Sequence, residues 1–297
     1  MSNNQKVHVI VLNFNNSQDT LVLVNDLLMQ KHVDMNIVVV DNCSTDNSYS
    51  ILKQAIKQER VELIRSDTNE GYACGNNYGL RFLDSKDTNY LAILNPDIKI
   101  TDELLFYNLA ERYELIADVG FIAPASINNE GVVNQYCAKK SPTYFQEILS
   151  SFLIFSKLVA KKNSYNLKNA TKELPVEILS GSFLFTKYKF FYNIGFFDEG
   201  TFLFCEERIL YEKTLRANKK NYLIRDLNIK HFASTTIGAI YTNIEQIKIF
   251  HNSLLYYIEN YLYLGRAKAL LLKPFLIFTV FQMKILAILK SISRYRL

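Results

Sequence analysis

Tyr90-Leu-Ala-Ile-Leu-Asn-Pro-Asp97 is the stretch whose reading decides the fold of this 297-residue chain. Leu91 to Leu94 form a continuous apolar run, the pattern of a central parallel strand covered on both faces. Pro96 fixes its own φ and pushes Asn95 towards extended backbone, so Asn95 and Asp97 emerge at the carboxyl edge of the sheet. Ligands of open α/β sheets bind at that edge. A carboxylate there suggests a divalent cation and an anionic ligand such as a diphosphate, because hard cations prefer oxygen donors. The competing reading is a turn aspartate capping the next helix, and Asn-Pro-Asp alone favours it.

Upstream, Val7 to Leu12 is a β-branched first strand ending at Asn13-Phe-Asn-Asn16. Leu21, Val24, Leu27 and Leu28 follow at helical spacing, and Ile37 to Val40 reads as a second strand. Asp41-Asn-Cys-Ser-Thr-Asp46 opens the next helix, with Ser44 as its cap and Ile51, Leu52, Ala55 and Ile56 on its apolar face. Val61 to Ile64 supplies a third strand. The segment Asn69 to Gly79 holds three glycines and turns into a helix, which lets backbone approach a ligand closely. It is neither a G-x-G-x-x-G fingerprint nor a P-loop. Past Asp97, Thr101 with Asp102 and Glu103 is expected to start a helix. Residues 1–100 thus read as a nucleotide-binding half.

Downstream, Val119 to Pro124 is a further strand. Residues 137–175 carry apolar patches among lysines and are assigned one helix, either an acceptor-facing lid or a plain surface insertion. Glu177 to Phe185 reads as a strand interrupted by Ser180-Gly181-Ser182, where glycine marks a bulge or a close approach. Phe202-Leu-Phe-Cys-Glu-Glu207 leads into a helix. Its two carboxylates read either as complements of the helix dipole or as a general base. His231 ends a short strand, and a lone histidine is more often structural than a ligand.

Ile244 to Leu264 is expected to be a long aromatic-rich helix. Ala267 to Ile292 is nearly all apolar but interrupted by Lys273, Pro274 and Lys284, leaving less than the ~20 uninterrupted residues of a bilayer crossing. An interfacial helix is the first reading, a hairpin dipping into one leaflet the second, and a core helix the third. Charge supports the first. The formal net charge is +5, yet no acid follows Glu259, and residues 1–264 hold 27 basic against 29 acidic side chains. The basic excess sits in an apolar tail, which suits an anionic membrane surface and not nucleic acid. The four cysteines form no C-x-x-C pairing and the polar start lacks a secretory pattern, so the expected setting is the cytoplasm, at the inner face of the plasma membrane.

In this order, Val9-Ile-Val-Leu-Asn-Phe-Asn15, Val40-Asp-Asn-Cys-Ser-Thr-Asp46, Asn69-Glu-Gly-Tyr72 through Asn77, Leu94-Asn-Pro-Asp97, Ser180-Gly-Ser182, Gly195-Phe-Phe-Asp198 and Phe204-Cys-Glu-Glu207 resemble family 2 glycosyltransferases, especially the bacterial rhamnosyltransferase-like branch. The resemblance covers roughly residues 7–235. It implies an α/β fold of GT-A type, a mixed central sheet flanked by helices, over residues 1–240, with 101–240 as the acceptor half and 241–297 as a helical membrane-associating extension. It implies an inverting transfer from a dTDP- or UDP-sugar, rhamnose among the candidates, to a hydroxyl of a lipid-linked oligosaccharide in bacterial surface polysaccharide synthesis.

By the same resemblance, Leu12, Asn13, Asn15, Asp41, Asn42, Asn69, Gly71, Asn76, Asn95, Gly181 and Ser182 bind substrate. Asp97 and His231 hold Mn²⁺ or Mg²⁺, and Glu207, with Glu206 next, is the base. Two departures stand out. Many relatives have Asp-x-Asp where this chain has Asn95-Pro-Asp97, which implies a metal carried largely by the diphosphate. Relatives also show Glu-Asp-x-Asp where this chain has Glu206-Glu-Arg-Ile209. The rival expectation is a catalytically silent relative that binds nucleotide sugar or membrane as an assembly partner, and a second copy of the chain stands as a further candidate partner.

Overall fold

The computed structural model describes residues 5–83, 89–128, 130–167, 170–231, 242–262 and 265–294, with side chains to 289 in the last segment. Three parallel strands, β1 (Gln5–Asn13), β2 (Val33–Asp41) and β3 (Val61–Arg65), alternate with α1 (Ser17–Leu28) and α2 (Ser48–Ala55). After α3 (Tyr72–Phe82), β4 (Tyr90–Leu94) pairs in parallel with β1. The quoted stretch is therefore a central strand, buried along its whole length.

The chain continues through β5 (Ile98–Lys99), α4 (Leu105–Leu115), β6 (Val119–Ile127), a short turn at Gln135–Cys137, β7 (Ala138–Lys139), α5 (Tyr144–Ser150) and α6 (Leu153–Lys162). Then come β8 (Glu173–Val176), β9 (Ile178–Leu179), β10 (Phe183–Lys187), α7 (Tyr188–Asn193), α8 (Glu206–Arg216) and β11 (Lys220–His231). Two helices close it, α9 (Asn243–Asn260) and α10 (Gly265–Arg294). The main sheet runs β3-β2-β1-β4-β10-β6-β11-β5, with β8 on the far side of β11. β10 is antiparallel to both β4 and β6, which makes the sheet mixed.

Side-chain alternation sorts the core into two layers. Val7, Val9, Val11, Ala92 and Leu94 face α1 and α4, whereas Ile10, Leu91 and Ile93 face α3 and α7. Both faces are covered, so these strands read as continuous apolar runs. A third cluster joins Cys205 and Ile209 to Leu254, Tyr257 and Ile258 of α9 and to Ala269, Leu272 and Leu276 of α10.

Several local expectations change. α2 starts at Ser48, and Ser44 does not cap it, because its hydroxyl accepts from Asn13 Nδ2 at 3.2 Å and from the Asn15 amide at 3.0 Å. α4 starts at Leu105. Asp102 instead accepts from the Leu104 amide, and Glu103 pairs with Lys31. The described part of residues 137–175 holds two helices and two strands instead of one helix, whereas Glu177 to Phe185 is interrupted at Ser180-Gly181-Ser182 as expected, giving β9 and β10.

α10 runs unbroken through Pro274, so Gly265–Leu289 is long and apolar enough to cross a membrane. That overturns the length argument against crossing. Only 17% of its most apolar window is buried. The reach of α9 towards Leu264, the boundary at residue 240, Met1 to Asn4, Arg296 and the side chains of Lys290 and Arg294 lie outside the described residues.

Candidate active site

The expected residues gather at the carboxyl ends of β1, β2 and β4, where the polar side chains of the first two strands satisfy one another. Asn13 Nδ2 donates to Asp41 Oδ2 at 2.8 Å, and the Ser44 amide donates to Asp41 Oδ1 at 3.1 Å. Arg65 Nε lies 3.3 Å from the same carboxylate, whose side chain is fully buried. Asp41 thus braces the pocket floor. Asn42 donates to Asn69 Oδ1 and to the Gly71 carbonyl, and Asn69 accepts in turn from the Gly71 amide. Asn15, at φ +52°, locks onto Thr45 by two hydrogen bonds. Leu12 packs where a side chain at residue 75 would stand, since a Cβ on Gly75 would come within 2.6 Å of it.

Gly71 carries a structural demand of its own. Its φ is +98°, and a Cβ there would fall 1.9 Å from the Phe202 carbonyl, to which the Tyr72 amide donates at 2.8 Å. The start of α3 is therefore clamped to the loop that delivers Glu206 and Glu207. That loop turns through two consecutive left-handed residues, Phe204 and Cys205. Neither is glycine, a conformation that persists only when surrounding contacts enforce it.

Asp97 and His231 come together through the sheet, because β5 pairs with the end of β11 and sets His231 opposite Ile98. His231 Nε2 stands 3.3 Å from Asp97 Oδ2. Among the described residues, Asp97 Oδ1, His231 Nε2 and Asn76 Oδ1 are buried without a hydrogen-bond partner. Other buried polar atoms, His8 Nδ1 and Ser126 Oγ among them, are open too, but these three stand at the site's edge, where a ligand or ion can supply the partner. No group of three or more His, Cys, Asp or Glu side chains stands ready for a metal among the described residues. The Asp97–His231 pair nevertheless fits a hard divalent cation that takes its remaining oxygens from a bound anion.

Asn95 and Ser182 lie side by side across β4 and β10, with the Asn95 amide donating to the Ser182 carbonyl at 2.9 Å. Gly181 brings its backbone to Glu207, whose Oε1 accepts from the Gly181 amide at 3.2 Å, and a Cβ at 181 would press on that carboxylate. Tyr72 completes the group. Its hydroxyl donates to the Gly181 carbonyl at 2.7 Å, and burial, then the charges of Glu207, Glu206 and Asp97, push its phenol well above the ordinary range. Tyr72 is a site residue for which the motif Asn69-Glu-Gly-Tyr72 alone implies no role. The available signal was an aromatic directly after a glycine at a helix start.

The two glutamates differ in setting. Glu206 is buried, and desolvation followed by the charge of Glu207 raises its carboxyl to about 8, which favours its protonated form. Glu207 is half-buried and faces a cleft of about 360 Å³ between α5, α6, β9 and α8, which Lys139 and Lys140 also line. In the wall of that cleft, Arg208 and Glu147 form a largely buried ion pair at 2.5 Å, with the guanidinium over the rings of Phe250 and Tyr257.

Residues 8–175 match the description of glycosyl transferase family 2. The chain belongs to that family. It is 30% identical over 217 residues to the low-salt glycan biosynthesis hexosyltransferase Agl10 of Haloferax volcanii, covering 72% of this chain and 62% of that protein. It is 25% identical over 195 residues to the rhamnosyltransferase WbbL of Escherichia coli, covering 63% and 71%. The chain thus spans less than two thirds of the archaeal relative's length. In three dimensions it resembles the mannosyltransferase PcManGT of Pyrobaculum calidifontis, solved with GDP-Man and Mn²⁺, at a TM-score of 0.58 and 15% identity over 94% of this chain and 70% of that one. The fold of this family 2 chain is accordingly GT-A.

Proposed function

We propose that this family 2 chain is an inverting glycosyltransferase that moves a sugar from a nucleoside-diphosphate donor to a hydroxyl of a lipid-linked oligosaccharide, in the building of a bacterial surface polysaccharide. The observation that carries the proposal is the convergence of three elements around Tyr72: the open Asp97–His231 pair, the Gly181 backbone and the Glu206–Glu207 pair. The named relatives, a hexosyltransferase and a rhamnosyltransferase, support the class, with dTDP-rhamnose and UDP-sugars as first donors to try.

Asn13, Asn15, Asn42, Asn69, Gly71 and Asn76 shape the nucleoside side of the pocket. Asp41 holds that side in place through its three internal partners. Asp97 and His231 would hold Mn²⁺ or Mg²⁺ against the donor diphosphate, and such an ion offsets charge growing on a departing phosphate. Glu207 takes the acceptor proton as the acceptor oxygen bonds to the anomeric carbon and the bond from that carbon to the β-phosphate oxygen breaks. Glu206 stays protonated and places no second charge beside the base.

Residues 1–240 form the transferase unit in this reading, and residues 241–297 attach it to the cytoplasmic face of a membrane. α10 lies along the body, because Thr279 and Gln282 both donate to the Ser151 carbonyl, at 2.8 and 2.9 Å. A helix docked over that length suits an interfacial position better than a crossing. Incubation with a nucleotide-sugar panel, Mn²⁺ and a lipid-linked acceptor should release nucleoside diphosphate in proportion to sugar transferred. Tight donor binding without turnover on any acceptor would instead support the silent-relative reading.

A further inference from the structure

α6 is a helix with two different faces. At 3.6 residues per turn, Ser156, Val159, Ala160 and Asn163 share one side, and all four line the cleft that holds Glu207. Ile154, Leu158 and Lys161 lie on the opposite side. Ile154 is 81% exposed and Leu158 62%, which is unusual for two aliphatic side chains one turn apart.

The exposed face has a neighbour of the same character. Phe152, at the start of α6, packs its ring against Phe275 and Phe278 of α10, with centroids 6.1 and 5.6 Å apart. The Leu153 amide donates to Gln282 Oε1 of α10 at 3.3 Å. On α10, Phe278 is exposed beside this junction, while Ile277 and Phe281, on the side of the helix away from Phe275 and Gln282, are exposed along the groove between α10 and α9. Charge follows the same pattern on both helices. No acid occurs from Ile148 to Lys172, where Lys157, Lys161 and Lys162 flank the apolar positions, and none follows Glu259. Two apolar, lysine-bearing, acid-free helices locked together both expose apolar faces complementary to lipid headgroups of negative charge with acyl chains beneath them.

We propose that α6 is a second membrane-docking element that seats Ile154 and Leu158 in the interface of an anionic bilayer beside α10, so that the cleft on its other face is held one helix diameter, about 10 Å, above the headgroups. The proposal rests on the reading of α10 as an interfacial helix. It extends that reading from attachment to substrate delivery, since a lipid-anchored acceptor would reach Glu207 by moving along the membrane plane.

The chain contains no tryptophan, so a single introduced indole is a clean reporter. In the full-length protein, Ile154→Trp should give fluorescence that shifts to the blue on adding phosphatidylglycerol vesicles and is quenched by brominated acyl chains. Tyr192→Trp on α7, outside both acid-free segments, should stay unchanged. Emission from Ile154→Trp that the vesicles leave unaltered overturns the proposal.

Co-sedimentation separates the two helices. Ile154→Glu with Leu158→Glu should weaken partitioning into phosphatidylglycerol vesicles by at least ~10-fold, as should Ile277→Glu with Phe281→Glu. Retained nucleoside diphosphate binding would show that both pairs fold. Release by the α10 pair alone defeats the role of α6 and leaves the α10 reading standing, whereas release by neither pair defeats both.

Discussion

On the side of the cleft proposed to take the donor, Asn13, Asp41, Asn42, Ser44 and Asn69 hydrogen-bond one another at the ends of two buried strands, while Asp97, His231 and Asn76 keep buried polar atoms open. On the acceptor side, the cleft wall consists of short helices held by the Arg208–Glu147 pair and by contacts to the C-terminal helices, with lysines and exposed aliphatic residues around it. A network closed on itself keeps its shape whether or not ligand is present, so the proposed donor side is preformed. A wall of short helices seated on other helices can vary without disturbing the sheet, and under the proposed function acceptor choice belongs there.

The sharpest test of this division is Glu207→Gln, because Glu207 stands at the boundary and faces the acceptor cleft. Transfer should fall by roughly 10²–10⁴-fold, the usual contribution of a positioned base, while donor affinity stays near wild type. Comparable loss of donor binding would break the comparison by making Glu207 part of the donor pocket. Asp97→Asn should cost roughly 10²–10³-fold in nucleoside diphosphate release and abolish stimulation by Mn²⁺. Its melting temperature should not fall, since the variant replaces a buried open carboxylate by a neutral group of equal size. A rate still stimulated by Mn²⁺ would remove Asp97 from the metal-holding role.

How much of this was legible in the sequence follows from where each interaction is made. β1, β2 and β4 are readable because burial on both faces forces an unbroken apolar run. The pairing of Asp97 with His231 is invisible locally, since it depends on β5 lying against β11. Ser44 looks like a cap by position, yet the Asn13 and Asn15 hydrogen bonds claim its hydroxyl first. The split between α5 and α6 is fixed by Ser151, whose carbonyl is held by Thr279 and Gln282 from the far end of the chain. Pro274 misleads in the other direction. It removes a single hydrogen bond, to a carbonyl on the exposed turn at Leu270, and α10 continues past it.

The smallest effect is the one that tests how the two glutamates divide their charge. An unfolded glutamate titrates near 4.3, whereas folded Glu206 is raised to about 8 by burial and by Glu207. Between those values the folded chain carries one proton more than the unfolded chain, so stability falls as pH rises from about 5 to about 8 and levels off above. The slope from this group approaches ~1.4 kcal/mol per pH unit within that window. Glu206→Gln removes the component, so urea midpoints of the two proteins should diverge across the window, with the variant the more stable at its alkaline end. Parallel curves would mean that Glu206 is ionised throughout and that the loop carries two charges.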